Sequence, residues 1–135
     1  MNDFFANWYE LLAYFNGFSN DMYDNNLYLP IGLWMILSPV IILIGYYYLL
    51  NSSRFSKRWY WLLIVVVLCA VNFGIAYHTS YNELVYLYEQ QNAELPYNIE
   101  FFSFSFINAL WTLIVSFVFS MIIKRGSKQC RRTPF

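Results

Sequence analysis

Charge is what this sequence has least of. Its 135 residues include eight Lys or Arg and eight Asp or Glu, 12% of the chain, where a soluble domain carries about 25%. Intrinsic disorder, a nucleic-acid surface and a long coiled coil are excluded, because each needs many more charged or polar positions. Cysteine is nearly absent too, with only Cys69 and Cys130, and His78 is the only histidine. That rules out a disulfide scaffold and leaves too few ligands for an ordinary zinc site. Five glycines and four prolines exclude collagen-like and low-complexity composition. No Gly-x-Gly-x-x-Gly, P-loop, His-Glu-x-x-His or Gly-x-Ser-x-Gly string occurs. The acids are scattered, and neither an enzyme nor a cofactor is expected.

Long hydrophobic runs are what the chain has instead. Apolar residues make up 59% and aromatics 23%. Three stretches, 27–50, 59–78 and 101–123, contain no Asp, Glu, Lys or Arg. A helix of about twenty residues at 1.5 Å per residue crosses the roughly 30 Å hydrocarbon core, so each run suffices for one crossing. A barrel is excluded, since Leu62-Leu63-Ile64-Val65-Val66-Val67 is apolar on both faces rather than alternating. The expected fold class is therefore an all-α membrane protein: three transmembrane helices, an N-terminal amphipathic helix and a short helical extracytoplasmic loop.

Zero net charge conceals complete segregation. Arg54, Lys57 and Arg58 lie between the first two spans, and Lys124, Arg125, Lys128, Arg131 and Arg132 follow the third. Asp3, Glu10, Asp21 and Asp24 precede the first span, and Glu83, Glu89, Glu94 and Glu100 lie between the second and third. Short basic segments are retained in the cytoplasm. The expected order is thus an extracytoplasmic segment 1–26, span one, a basic cytoplasmic loop 51–58, span two, an acidic extracytoplasmic loop 79–100, span three, and a basic cytoplasmic tail 124–135. The location expected is a plasma (inner) membrane, with the amino terminus outside and no cleavable signal peptide. Tyr46-Tyr47-Tyr48 and Trp59-Tyr60-Trp61 on one side, and Tyr77, Tyr81, Phe101 and Phe102 on the other, read as aromatic belts. The Asn51-Ser52-Ser53 sequon falls on the cytoplasmic side, and Cys130 reads as a plain thiol.

Outside the spans, Phe4, Trp8, Leu11, Leu12 and Phe15 recur at helical spacing, and Asn16-Gly17 follows as a stop. In the outer loop, Ser80 and Glu83 fit a capping box, Tyr81, Leu84, Val85 and Tyr88 share a face, and Pro96 ends the segment. Two small outer helices forming a cap are expected. Asn98 is placed to cap span three, with Glu100 in its first turn and Lys124 and Arg125 in its last.

Inside the spans, Ser38-Pro39 marks an expected kink. Ser105, Asn108, Thr112, Ser116 and Ser120 form one polar stripe on span three. Ala70 and Gly74 offer a small edge on span two beside Asn72, a buried polar group that must find a partner. These eight residues form the expected helix-packing or pore face. His78 reads as an interfacial histidine, since a metal or pH-sensing role has no second feature behind it. The tail cations Lys124, Arg125, Lys128, Arg131 and Arg132 can meet anionic lipid or a partner, topology control being their ordinary role.

The function these features imply is a non-catalytic membrane subunit or anchor, assembling with other membrane proteins or with itself through helix packing. Its partners are the bilayer and neighbouring subunits, with no nucleic acid. One alternative is a homo-oligomeric channel lined by the polar face of span three. Another is a signalling or immunity protein that binds a ligand through its outer cap.

Overall fold

The structure, a computed structural model, describes residues 1–49 and 57–126. Arg54, Lys128, Cys130, Arg131, Arg132 and the Asn51-Ser52-Ser53 sequon lie outside the described residues. Within them every regular element is helical: α1 (Asn2–Glu10), α2 (Phe18–Asp24), α3 (Tyr28–Ile44), α4 (Arg58–Gln90) and α5 (Ile99–Ile123). Three stretches, Tyr28–Tyr48, Arg58–Gln90 and Ile99–Ile123, are long and apolar enough to cross a membrane. They form an antiparallel bundle in which α5 packs extensively on both α4 and α3, while α3 and α4 touch each other less. All eight acids lie at or beyond one end of this bundle, and the described cations Lys57, Arg58, Lys124 and Arg125 lie at the other. We call these the acidic and basic ends.

α4 differs from its expected form. In place of a span and a separate loop helix it is one rod of 33 residues, about 50 Å long. No proline lies between Arg58 and Gln90 to break it. Ser80 therefore sits inside the helix, where its hydroxyl donates back to the Ala76 carbonyl at 2.7 Å instead of capping a new start. Since the hydrocarbon core is about 30 Å thick, α4 is long enough to project past it by about 20 Å.

The amino-terminal segment also departs from expectation. The single amphipathic helix through Phe15 is replaced by α1 and α2, separated by a turn. Gly17 adopts φ 82 just before α2, a left-handed value that suits glycine, and a Cβ there would lie 2.9 Å from the Tyr97 hydroxyl. The buried face of α1 is Asn2, Phe5, Ala6 and Tyr9, whereas Phe4, Leu11 and Leu12 are exposed. Two apolar faces compete on this helix, and Phe5 decides between them by seating on Gly32 of α3. A Cβ at Gly32 would fall 2.2 Å from the Phe5 ring.

Aromatic contacts knit this end together. Phe104 lies 5.1 Å from Tyr9, and 5.8 Å from both Phe18 and Tyr28, between ring centroids. Phe18 also meets Phe101 and Tyr97 edge-on, so α2 is anchored to α5 and to the loop before it. Such pairs add about 0.5–1.5 kcal/mol each beyond burial.

At the basic end the core is smaller: Leu43, Tyr46 and Tyr47, with Trp61, Ile64, Phe119 and Ile123 against it. Tyr46 and Tyr47 turn inward, whereas Tyr48, Trp59 and Tyr60 of the expected belt are exposed. The α-helix includes Ser38 and Pro39, and a π-helical turn follows at Gly45–Leu49. Asn98 occupies the N-cap of α5 without a side-chain cap bond; Glu100 instead accepts the Asn98 amide N–H at 3.1 Å.

Candidate functional site

Helical spacing places Ser105, Asn108, Thr112, Ser116 and Ser120 along one side of α5, and each of them is fully buried within the chain. Small hydroxyl side chains let the neighbouring helices come close here. Two hydroxyls are satisfied within α5 itself: Ser105 donates to the Phe101 carbonyl at 2.7 Å and Thr112 to the Asn108 carbonyl at 2.8 Å. Most of the other bonds cross between elements. Asn108 Nδ2 donates to the Asn72 carbonyl of α4 at 2.8 Å, and Asn108 Oδ1 accepts the Tyr9 hydroxyl of α1 at 2.5 Å. Asn72 Nδ2 in turn donates to Ser38 Oγ of α3 at 2.8 Å and to the Leu68 carbonyl at 3.0 Å. Near the basic end, Trp61 Nε1 donates to Ser120 Oγ at 2.8 Å.

One polar layer therefore ties four helices together. Asn72 is fourteen residues into α4, so the layer lies about 21 Å along the helix from its basic-end start. Interhelical bonds of this type are worth about 0.6–2 kcal/mol each. Burial holds the Tyr9 phenol well above the ordinary tyrosine range, which keeps it a proton donor to Asn108. Asn72 Oδ1 and Ser116 Oγ are buried without a hydrogen-bond partner.

Ala70 and Gly74 fall elsewhere. Both are exposed on the outward side of α4, and a Cβ added at Gly74 would meet nothing within 4 Å. Asn72, two residues from each, points the opposite way into the bundle because successive positions on a helix are 100° apart. The small edge is not the complement of the α5 stripe; it is a separate, unfilled surface flanked by the exposed Val66, Val67 and Val71.

The acidic end carries a second cluster that the spacing does not reveal. Tyr88 of α4 and Tyr97 of the following loop both donate to Asp21 Oδ2 of α2 at 2.8 Å. Tyr23 donates to Asp3 Oδ1 at 2.5 Å, and Asn2 Nδ2 to the Tyr23 carbonyl at 3.0 Å, joining α1 to α2. Burial, then the Tyr88 hydroxyl and the Asp21 carboxylate, raise the Tyr97 phenol above its ordinary value. His78 is exposed, with the Asn82 amide 3.1 Å from its Nε2. Among the described residues, no three His, Cys, Asp or Glu side chains converge in a way that could hold a metal.

Chemically, this is an arrangement for holding helices. Its polar groups are amides, hydroxyls and an indole, bonded to one another or to backbone carbonyls apart from Asn72 Oδ1 and Ser116 Oγ, and the carboxylates lie at the acidic end. Of the signals that were missed, Tyr9 had one: Asn2, Phe5, Ala6 and Tyr9 themselves follow helical spacing. The Asp21, Tyr88 and Tyr97 clasp joins residues 67 and 76 positions apart and has no local signature. Comparison with known proteins gives no match to a family model, a curated protein or a solved structure.

Proposed function

We propose that this chain is an integral membrane protein that serves as a non-catalytic subunit or anchor, joining neighbouring membrane proteins or further copies of itself through helix packing. It lies in a plasma (inner) membrane with the acidic end outside and the basic end in the cytoplasm. The observation that carries the reading is the contrast between a polar stripe engaged inside the chain and an unfilled Ala70 and Gly74 edge facing outward on α4. In lipid, close backbone approach at small residues is a principal source of helix association. A pore lined by span three would need the stripe to face a shared axis, and its enclosure within one chain favours the anchor. The tail cations, Lys124 and Arg125 among them, act in retention at the cytoplasmic face and meet anionic lipid or a partner there.

Co-purification in mild detergent tests this directly. Wild-type protein should bring down a stable membrane neighbour or a second copy, and Gly74→Leu should lose it while keeping the helical content. Wild-type protein that stays alone after crosslinking in the membrane would overturn the assignment. Orientation has its own assay: a Gln90→Cys thiol should react with an impermeant reagent added outside, and native Cys130 should not.

A further inference from the structure

Where α3 and α4 touch least, the bundle is open to its surroundings by a groove. Its inner part, about 300 Å³, runs from Leu63 to Val71 of α4 with Ser38 and Ile42 of α3 as the opposite wall. A second hollow of about 520 Å³, lined among the described residues by the start of α4 without α3, shares Leu63 and Val67 with it and reaches Trp59 and Lys57 at the basic end. Arg58 borders the same mouth beside Trp59. The walls are apolar, apart from Ser38, until the mouth, where two cations and an exposed indole stand together.

The lining identifies what fits. A strip of apolar side chains that ends on two cations suits an acyl chain joined to an anionic headgroup, whereas an apolar helix from a second copy would bring no counter-charge to Lys57 and Arg58. The length of the strip from Leu62 to Val71, about 14 Å, matches one leaflet of a core roughly 30 Å thick. At the mouth, Lys57 and Arg58 complement a phosphate, and Trp59 sits where indoles rest at the headgroup level.

We infer that the α3 and α4 groove binds an anionic glycerophospholipid of the basic-side leaflet, one acyl chain along Leu63, Val67 and Val71 and the phosphate against Lys57 and Arg58. The inference rests on the membrane-spanning reading and adds to it a defined lipid site apart from the tail. Val67 and Val71 border both this groove and the Ala70 and Gly74 edge, so the lipid and a helix packed at Gly74 would be neighbours.

Trp59 supplies the readout, taken as the fluorescence lost between wild type and Trp59→Phe. Full-length protein is reconstituted into phosphatidylcholine bilayers containing either phosphatidylglycerol or phosphatidylcholine spin-labelled near the head of the acyl chain. Quenching of Trp59 should favour labelled phosphatidylglycerol by on the order of tenfold in apparent affinity and weaken with added salt. The double variant Lys57→Gln, Arg58→Gln should remove the preference, and Val67→Phe should lower quenching by filling the groove. Val118→Phe, on the outward side of α5, should leave the preference unchanged. Equal quenching by both lipids, or a preference that survives Val67→Phe, would overturn the lipid site and leave the membrane reading standing. Absence of quenching by either lipid in every variant would overturn both.

Discussion

α4 and α5 both carry small residues at helical spacing, yet α5 turns its set inward and α4 turns its set outward. The difference follows from what each side chain demands. Asn108 must place an amide, and Ser105, Thr112 and Ser120 a hydroxyl, in surroundings without water, so these positions are drawn to carbonyls and to Tyr9 and Trp61. Ala70 and Gly74 carry no polar side-chain atom and can face lipid without cost. Smallness alone therefore does not locate an interface within the chain. Smallness combined with hydrogen-bonding capacity does so on α5, whereas small apolar residues go either way: Gly32 and Ala76 are packed inside, and Ala70 and Gly74 face outward.

Breaking the inward set at its centre should have the largest effect. Asn108→Leu removes the bonds to Tyr9 and to the Asn72 carbonyl and leaves a buried phenol unpaired, which should cost about 2–3 kcal/mol of stability. Denaturant unfolding in micelles measures this, and proteolysis within α1 should accelerate in parallel. A loss below about 0.5 kcal/mol would mean that the layer does not hold the bundle.

Two serines one turn apart sharpen the comparison at smaller scale. Ser120→Ala loses the acceptor for Trp61 and should destabilise by about 1 kcal/mol, whereas Ser116→Ala deletes an oxygen that has no partner and should be neutral or slightly stabilising. Equal effects from the two would show that volume, not hydrogen bonding, governs the stripe.

The smallest effect concerns the cap and pH. Burial and its hydrogen bonds raise the Tyr97 phenol above the ordinary tyrosine value of about 10. With the folded value above the unfolded one, the phenol's contribution is complete below about pH 10 and is lost as pH rises through the folded value. Hydrogen exchange across α2 should therefore be flat through neutral pH after correction for intrinsic rates, and protection should fall only in strong alkali. Loss of α2 protection near pH 8 would contradict the clasp.

The three long helices were legible because uncharged runs of about twenty residues admit few alternatives. Five polar residues at spacings of three and four on an apolar helix were likewise sufficient to define the stripe. Other features were not legible, for identifiable reasons. Ser80 and Glu83 match a capping box in type, but continuous helix from Arg58 needs no new start there. α1 carries two apolar faces, and the choice between them rests on Gly32, a residue in another helix. Asn72 and Gly74 are two positions apart, so grouping them placed opposite sides of α4 on one surface. The Asp21 clasp depends on the chain returning to itself after more than sixty residues.

The most direct measurement is thiol reactivity within the bilayer, using a background of Cys69→Ala and Cys130→Ala. With Gly74→Cys, a membrane-permeant crosslinker should join the chain to a neighbour, and with Ser116→Cys the enclosed thiol should stay unreacted. The opposite pattern, with Ser116→Cys crosslinked between chains and Gly74→Cys inert, would turn the bundle inside out and contradict the account.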